Sequence, residues 1–372
     1  MPQPSKILVW DLPTRTFHWL LVLSFSVAWI THEDNRYLYA HTVAGYFFFG
    51  LLLFRIAWGV IGSHYARFRA FAYDWRSASG YLRALLSGQA SRYLGHNPIG
   101  SWAIFLLLAL GLLISISGLV VLGGEEGHGV LRGIVPYALG KAAKEVHEAL
   151  AATMVLVIII HIAGVIVESL IHRENLVQAM LTGYKIGKET GVAISRFRLL
   201  GISLLIIFSV AGLYAFKGYL TARPGAPFLP FVGPSLADDP VWRKACAECH
   251  LAFHPSLLPA RSWQKMLDEQ AKHFGEDLGL DVADTEHLHA FLAANSAEHR
   301  LSEPARKIAD STPSDVTPMR ITDTAYWKRK HREISEDIWN RKSIGHRNRC
   351  EACHWDAQKG SFEDSAMRIP KD

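Results

Sequence analysis

Cysteine is almost missing from this chain: four in 372 residues, and none before position 246. The first two thirds therefore hold no disulfide and no thiolate metal site. Charge is scarce as well. Only 20% of residues are charged while 50% are hydrophobic, and the mean hydropathy of +0.12 is too apolar for an ordinary soluble protein. The apolar residues come in blocks, as in a membrane protein with a soluble tail. Residues 1–217 carry 18 Lys and Arg against 11 Asp and Glu, whereas residues 218–372 carry 21 against 23. The net +5 thus belongs to the apolar part, where it reports membrane topology and not a nucleic-acid surface. No small-residue cleavage site follows the first apolar run, so that run is expected to stay as a helix and not to be removed as a signal peptide.

Five membrane helices are predicted, at about 16–32, 40–61, 100–122, 145–170 and 198–217, each near the ~20 residues that cross a hydrocarbon core. The connection 62–99 holds Arg67, Arg69, Arg76, Arg83 and Arg92 against the single acid Asp74, and 171–197 holds Arg173, Lys185, Lys188 and Arg196. Lys and Arg concentrate in cytoplasmic loops, so both connections are expected inside, with the N-terminus. Five spans then put the C-terminal tail outside.

The stretch from Lys144 to His172 carries His147 and His161, fourteen residues apart. On a helix that is about 21 Å of rise and nearly four whole turns, so both imidazoles leave one face at different bilayer depths. Intramembrane histidines usually mark function, and two stacked haems, each iron taking axial imidazoles, are suitable partners. The plainer alternative puts His147 at the headgroups and has His161 bond a neighbouring helix. His18 in the first span lies at the depth of His161, and His41, which opens the second span, at the depth of His147; each pair is able to ligate one haem. His32 has the same spacing from His18 but abuts Glu33 and Asp34, and is read as solvated. Gly45, one turn after His41, leaves room for a flat ring. Arg55, fourteen residues after His41, is placed near the inner haem, either to pair with its propionates or to reach headgroups. The third span has no histidine and serves as bundle wall. His128 with Glu125 and Glu126, in the outer connection, and Glu168, two turns past His161, are read as solvated.

R-x-x-H-W at 15–19, H-x-x-x-G-Y at 41–46, R-I-A-W-G-V-I-G at 55–62 with Tyr65-Ala66-Arg67-Phe68 after it, and the two histidines of the fourth span together resemble the bacterial cytochrome b561 and nickel-hydrogenase cytochrome b family over residues 6–190. The resemblance implies a four-helix bundle holding two b-type haems through His18, His41, His147 and His161. A fifth span and a long tail depart from that pattern.

After a Pro/Gly-rich linker, the four cysteines appear as Cys246-x-x-Cys249-His250 and Cys350-x-x-Cys353-His354. In this spacing two thiols form thioethers to a haem while the next histidine turns onto the iron, and no cysteine is left over. Zinc binding is the weaker alternative. H-F-G-E-D at 273–277, Tyr326-Trp327-x-x-x-His331 and the closing G-S-F-E-D-S-A-M-R-I-P give the tail, over about 240–370, a resemblance to the dihaem cytochrome c family. For the sixth ligands, Met266, Met319 and Met367 are available, but His273 and His331 are preferred. Ser262 is expected to cap a helix running to His273, and a second helix at about 323–342 to carry Trp327, His331 and Ile334. Which of the two serves which haem is not readable; His287, His289 and His299 are read as surface or packing residues.

The expected fold is all-α: a transmembrane bundle of four b561-type helices (1–197) with a fifth helix (198–217), a linker (218–240), and a mostly helical periplasmic dihaem c-type domain (241–372). The expected cofactors are two haem b, two covalent haem c, and quinone or quinol. The expected setting is the bacterial inner membrane, with the N-terminus cytoplasmic and the C-terminal domain periplasmic. Electrons are expected to pass between the quinone pool and a soluble periplasmic carrier or enzyme; no nucleic-acid partner is expected, and homo-oligomerisation is left open. Alternatives implied by the resemblance are an oxidoreductase working at an exposed haem edge, of superoxide-oxidase or ferric-reductase type, and an anchor subunit that wires a dehydrogenase to quinone.

Overall fold

A computed structural model describes residues 5–132, 134–187, 195–220, 236, 238–299 and 302–371. The described chain divides into two units. Most of the expected linker lies outside the described residues.

The first unit, Met1–Asp34, Ala40–Val121 and Tyr137–Thr221, is a helical bundle. Its long helices are α1 (Leu12–Ile30), α2 (Leu38–Ile61), α4 (Pro98–Gly124), α5 (Tyr137–Ile171) and α7 (Arg198–Leu220), with the shorter α3 (Trp75–Leu86) and α6 (Leu176–Thr182) in the connections. Every expected span forms a helix, and among the described residues four are long and apolar enough, by length and composition, to cross a membrane: Asn35–Ile61, Pro98–Gly124, Tyr137–Ile171 and Arg198–Ala215. The first helix falls short because its 19 residues include Thr14, Arg15, Thr16 and His18 in the first two turns. It starts where Asp11 accepts a hydrogen bond from Thr14 N at 3.0 Å, a side-chain cap that satisfies a free amide of the first turn. Helix α5 begins at Tyr137, eight residues earlier than expected, and its 35 residues give about 52 Å of rise, well beyond a ~30 Å hydrocarbon core.

Helix α2 is the hub. Its Leu51, Phe54 and Trp58 pack with Phe17 of α1 and Leu205 of α7, and its Phe48 and Leu52 pack with Leu110 and Ile114 of α4 and Met154 of α5. The added last helix is therefore seated against α1 and α2. Helix α3, inside what reads as a plain loop, leaves Trp75 and Leu86 exposed, as an interfacial helix does. The N-terminal strand β1 (Ser5–Leu8) pairs antiparallel with β2 (Tyr184–Gly187), and Arg92 donates to Glu174 and to Ile186 O, both at 2.7 Å. The N-terminus, the 62–97 connection and the 172–187 connection are thus bound to one another.

The second unit joins Asn35–Tyr39 and Leu122–Pro136 to Ala222–Asp372. Its helices are α8 (Pro240–Cys246), α9 (Ala260–Asp268), α10 (Val282–Ala294), α11 (Glu303–Ser311), α12 (Ala325–Lys330) and α13 (Glu336–Trp339). One core gathers Trp242, Leu258, Trp263, Leu267, Leu288 and Leu292; a smaller one gathers Leu257, Ala297 and Ile308. His128 is not solvated as expected. It is 9% exposed and its Nε2 lies 2.9 Å from Glu363 Oε1, while Arg306 donates to Gly124 O at 2.9 Å.

Candidate haem-ligating sites

His41 and His147 face each other, with ring centroids 6.2 Å apart and ring planes at 77°. Their Nδ1 atoms point away from the gap onto carbonyls of neighbouring helices: His41 to Ala28 O at 2.9 Å, His147 to Ile114 O at 3.0 Å, with Ser117 Oγ at 3.1 Å. An imidazole whose Nδ1–H donates to a carbonyl offers the lone pair of its Nε2, the usual arrangement at metal sites. The wall helix α4 thus orients His147, and it makes room as well. A Cβ at Gly118 would sit 3.0 Å from His147 Cε1. Beside Gly45 there is nothing within 4 Å, nor beside Gly164, one turn past His161. It is His41 that faces His147; His32 instead stacks on Trp29, centroids 4.7 Å apart. His161 lies within electrostatic range of His18, whose Nδ1 is buried with no partner among the described residues.

Arg55 is 5% exposed, so it does not reach headgroups. Its guanidinium lies over Phe68 at 4.7 Å and Phe71 at 5.9 Å, and its buried Nη1 has no hydrogen-bond partner among the described residues. The buried carboxylate of Asp11 acts on this cation, and its unused donor suits a further anionic group. Sequence reading missed His96, which is wedged between Trp10 (4.6 Å) and Phe71 (4.3 Å). Burial pushes His96 down to about 3, with Arg55, Lys185 and His161 adding to the effect, so it is neutral. It also missed the setting of Glu168. This carboxylate is 9% exposed and accepts from Tyr81 at 2.6 Å and Asn97 at 2.9 Å, with His172 Nε2 at 3.3 Å, rather than reaching water. Tyr81 and Asn97 come from α3 and from the turn before α4, too far along the chain to be paired by periodicity.

In the second unit the two motif histidines each meet one of the expected distal histidines. His250 and His273 have centroids 6.3 Å apart, and His331 and His354 6.2 Å. This pairing was not legible beforehand. Metal–imidazole bonds of about 2.0–2.1 Å on opposite sides of an ion hold the ligand atoms about 4 Å apart and the ring centres about 6 Å apart. All three pairs have that spacing, so the residues present fit a haem held between two imidazoles.

The local structure differs from expectation on both distal histidines. Helix α9 is preceded by Pro259, not capped by Ser262, and ends at Asp268. His273 follows a further turn and opens a tight reversal: Glu276 N donates to His273 O at 3.1 Å, with Phe274 at φ 52° and Gly275 at φ 108°. That left-handed geometry explains the glycine of H-F-G-E-D. The expected helix 323–342 is broken into α12 and α13, and His331 is the residue at which α12 ends; its Nδ1 lies 2.9 Å from Trp327 O and its ring stacks on Trp327 at 4.4 Å. The closing motif folds back on the second Cys pair, where Trp355 N donates to Ala366 O at 3.0 Å and Arg368 N to Cys353 O at 2.8 Å.

Burial keeps these rings neutral, as ligation requires. His354 is pushed down to about 4 by burial, helped by His331 and Lys330; His273 is lowered by burial and by His250; His331 is lowered by burial against its bond to Trp327 O. All four cysteines are free. Burial raises the Cys246 thiol to about 11 and the Cys350 thiol to about 12. Among the described residues no group of three or more His, Cys, Asp and Glu is arranged to hold a bare metal ion. His287 pairs with Asp239 at 2.6 Å and His289 with Asp268 at 3.3 Å, in keeping with surface roles.

Residues 9–183 match the family model for prokaryotic cytochrome b561, and residues 242–362 the model for dihaem cytochrome c. The probable Ni/Fe-hydrogenase B-type cytochrome subunit of Cupriavidus necator is 28% identical over 218 residues, which is 49% of this chain and 87% of that protein. The probable Ni/Fe-hydrogenase 1 B-type cytochrome subunit of Escherichia coli K12 is 25% identical over 212 residues, 48% of this chain and 89% of that protein. Among solved structures, the dihaem cytochrome c of Rhodobacter sphaeroides is 34% identical, covering 35% of this chain and 100% of its own, with a TM-score of 0.31. The all-α chain is therefore similar to the prokaryotic cytochrome b561 family over residues 9–183 and to the dihaem cytochrome c family over residues 242–362.

Proposed function

We propose that the chain is a tetrahaem electron conduit, moving electrons between quinol in the bacterial inner membrane and a soluble redox partner in the periplasm. The observation that carries this reading is the set of three imidazole pairs at 6.2–6.3 Å, two of them built on the Cys-x-x-Cys-His motifs. In this reading His41 with His147 and His18 with His161 hold two b-type haems. Cys246, Cys249, His250 and His273 hold one c-type haem, and Cys350, Cys353, His354 and His331 the other. Bound haem supplies one-electron chemistry at its iron; the chain supplies ligand identity, orientation and burial, which set the potential. Arg55 offers its unused donor to the propionates of the inner haem.

Sidedness is supported by the way the connections associate. The N-terminus and the Arg-rich connections 62–97 and 172–187 bond to one another, as expected of cytoplasmic segments, while 35–39 and 122–136 belong to the unit that contains the tail. For the quinone headgroup we favour the cavity of about 380 Å³ lined by His64, Tyr73, Arg92, Tyr93 and His96, whose size and mixed aromatic and polar lining suit such a ligand. A second reading is favoured by the names of the relatives: a cytochrome subunit that receives electrons from a partner dehydrogenase. A spectroelectrochemical titration of the membrane protein separates the two. Quinol reduction of b and then c haems in the isolated chain supports the conduit; haems that stay oxidised under quinol but are reduced when a co-purified dehydrogenase receives its substrate overturn it.

A further inference from the structure

His254 lies four residues past the first motif histidine and is not used by the function proposed above. It is 2% exposed, among the most buried large side chains of the protein. The backbone amide of Ser256 donates to its Nδ1 at 3.3 Å, and Ser256 Oγ lies 2.8 Å from the same atom. An N–H cannot donate to a protonated nitrogen, so Nδ1 is the acceptor and the ring proton sits on Nε2. Burial pushes the ring down to about 4, which keeps it neutral with that single N–H. Nε2 is buried and has no hydrogen-bond partner among the described residues.

The ring is also held rigidly. Gly360 packs on it so closely that a Cβ there would come within 2.4 Å of His254 Cγ, and at φ 67° that position favours glycine on backbone grounds as well. Gly360 lies six residues past His354, in the turn that brings Phe362 against the His354 ring at 5.1 Å. His254 is thus clamped between the segments that follow the two Cys-x-x-Cys-His motifs, with its donor fixed. A buried donor without an acceptor is costly and rare in a native protein, so the acceptor is expected to come from a group the chain binds.

We propose that His254 is a positioning residue whose Nε2–H donates to a propionate carboxylate of one of the two c-type haems, tying that haem to the interface between the two motif segments and raising its potential. The class of ligand follows from the site: a rigid neutral donor buried between two haem-binding segments fits a fixed anionic acceptor. The sign follows from electrostatics. An unscreened propionate charge favours the oxidised iron, and a donor that draws on that charge shifts the balance toward the reduced form.

This proposal rests on both motifs carrying haem, which is checked separately by the pyridine haemochrome of the wild-type full chain: fewer than two c-type haems defeats that reading and not the role of His254. With two present, His254→Leu in the full chain is expected to lower the midpoint of one c-type haem only. The one-electron equilibrium should move about three- to tenfold, or about 28–59 mV, on loss of one hydrogen bond. His254→Gln, which keeps an N–H near the Nε2 position, is expected to restore most of the shift, an outcome a purely space-filling role does not produce. Unchanged c midpoints in His254→Leu with full haem content overturn the proposal, as do equal shifts in the Leu and Gln variants. If the Leu variant does not accumulate with haem, an experimental structure of the haem-loaded full chain decides. A propionate oxygen within hydrogen-bond distance of Nε2 supports the proposal, whereas a buried water alone, or no acceptor, overturns it.

Discussion

Replacing Arg55 by Gln tests the inner haem site most directly, because it removes one charge and keeps a polar hydrogen-bonding side chain. Arg55 is 5% exposed and sandwiched by Phe68 and Phe71, so its charge is poorly screened. A positive charge near the iron opposes the more positive, oxidised state and therefore raises the midpoint. At a separation of about 10 Å and an effective dielectric of about 20, the interaction is about 1.7 kcal/mol. With 59 mV for each tenfold change of about 1.4 kcal/mol in a one-electron couple, Arg55→Gln should lower the inner b midpoint by about 70 mV. Arg55 lies fourteen residues beyond His41 on α2, about 21 Å of rise, so the outer b haem should move by less than half as much. A screening length of about 8 Å at physiological salt reduces the outer effect further. The assay is a potentiometric titration with b-band spectra of the wild type and the variant. An unchanged inner midpoint at normal haem content would refute the argument, leaving Arg55 as a packing residue.

The other predictions concern ligation, packing, sidedness and acid stability. His147→Ala should halve the b-type haem in a pyridine haemochrome assay and leave c-type haem intact; retention of all b haem would show that the pairing with His41 holds nothing. Gly118→Val, which drives a side chain into the His147 ring, should lower outer b haem content or midpoint without touching the c bands, and an unaltered b spectrum would count against α4 as the orienting wall. His273→Ala should open the sixth position at one c-type haem, seen as carbon monoxide binding by the reduced protein that the wild type lacks. A reporter active only in the periplasm should be active when fused after Gly218 and silent when fused within 76–92; the reverse pattern would overturn the assigned sidedness. Burial alone raises the Glu174 carboxyl, but Arg92 and Lys185 outweigh it and hold it below its ordinary range. The stabilisation from Glu174 is then present above about pH 4.3, the ordinary Glu value, and lost as pH falls through the lower folded value. Thermal melts in detergent from pH 6 to pH 3 should show a smaller acid loss for Glu174→Gln than for the wild type.

What the sequence determined by itself is whatever depends on spacing along the chain. The two Cys-x-x-Cys-His motifs needed only adjacent residues, and the membrane helices needed only runs of apolar side chains. His147 and His161 could be placed on one face because both sit on a single helix of 3.6 residues per turn. Charge asymmetry between connections gave an expected sidedness for the same reason, since it is a count over short segments. The helix ends were less legible: α5 starts at Tyr137 because its first two turns project beyond what hydropathy marks, and α1 is too polar to register as a crossing although it folds as a helix. Only the tertiary structure decided which groups meet across distant segments. It paired His250 with His273 and His331 with His354, turned Nδ1 of His147 onto Ile114 O, gave Glu168 its partners Tyr81 and Asn97, and pressed Gly360 against His254. Local periodicity carries no information on such contacts. They join residues up to 106 positions apart, and packing, backbone turns and the satisfaction of buried polar atoms select them together.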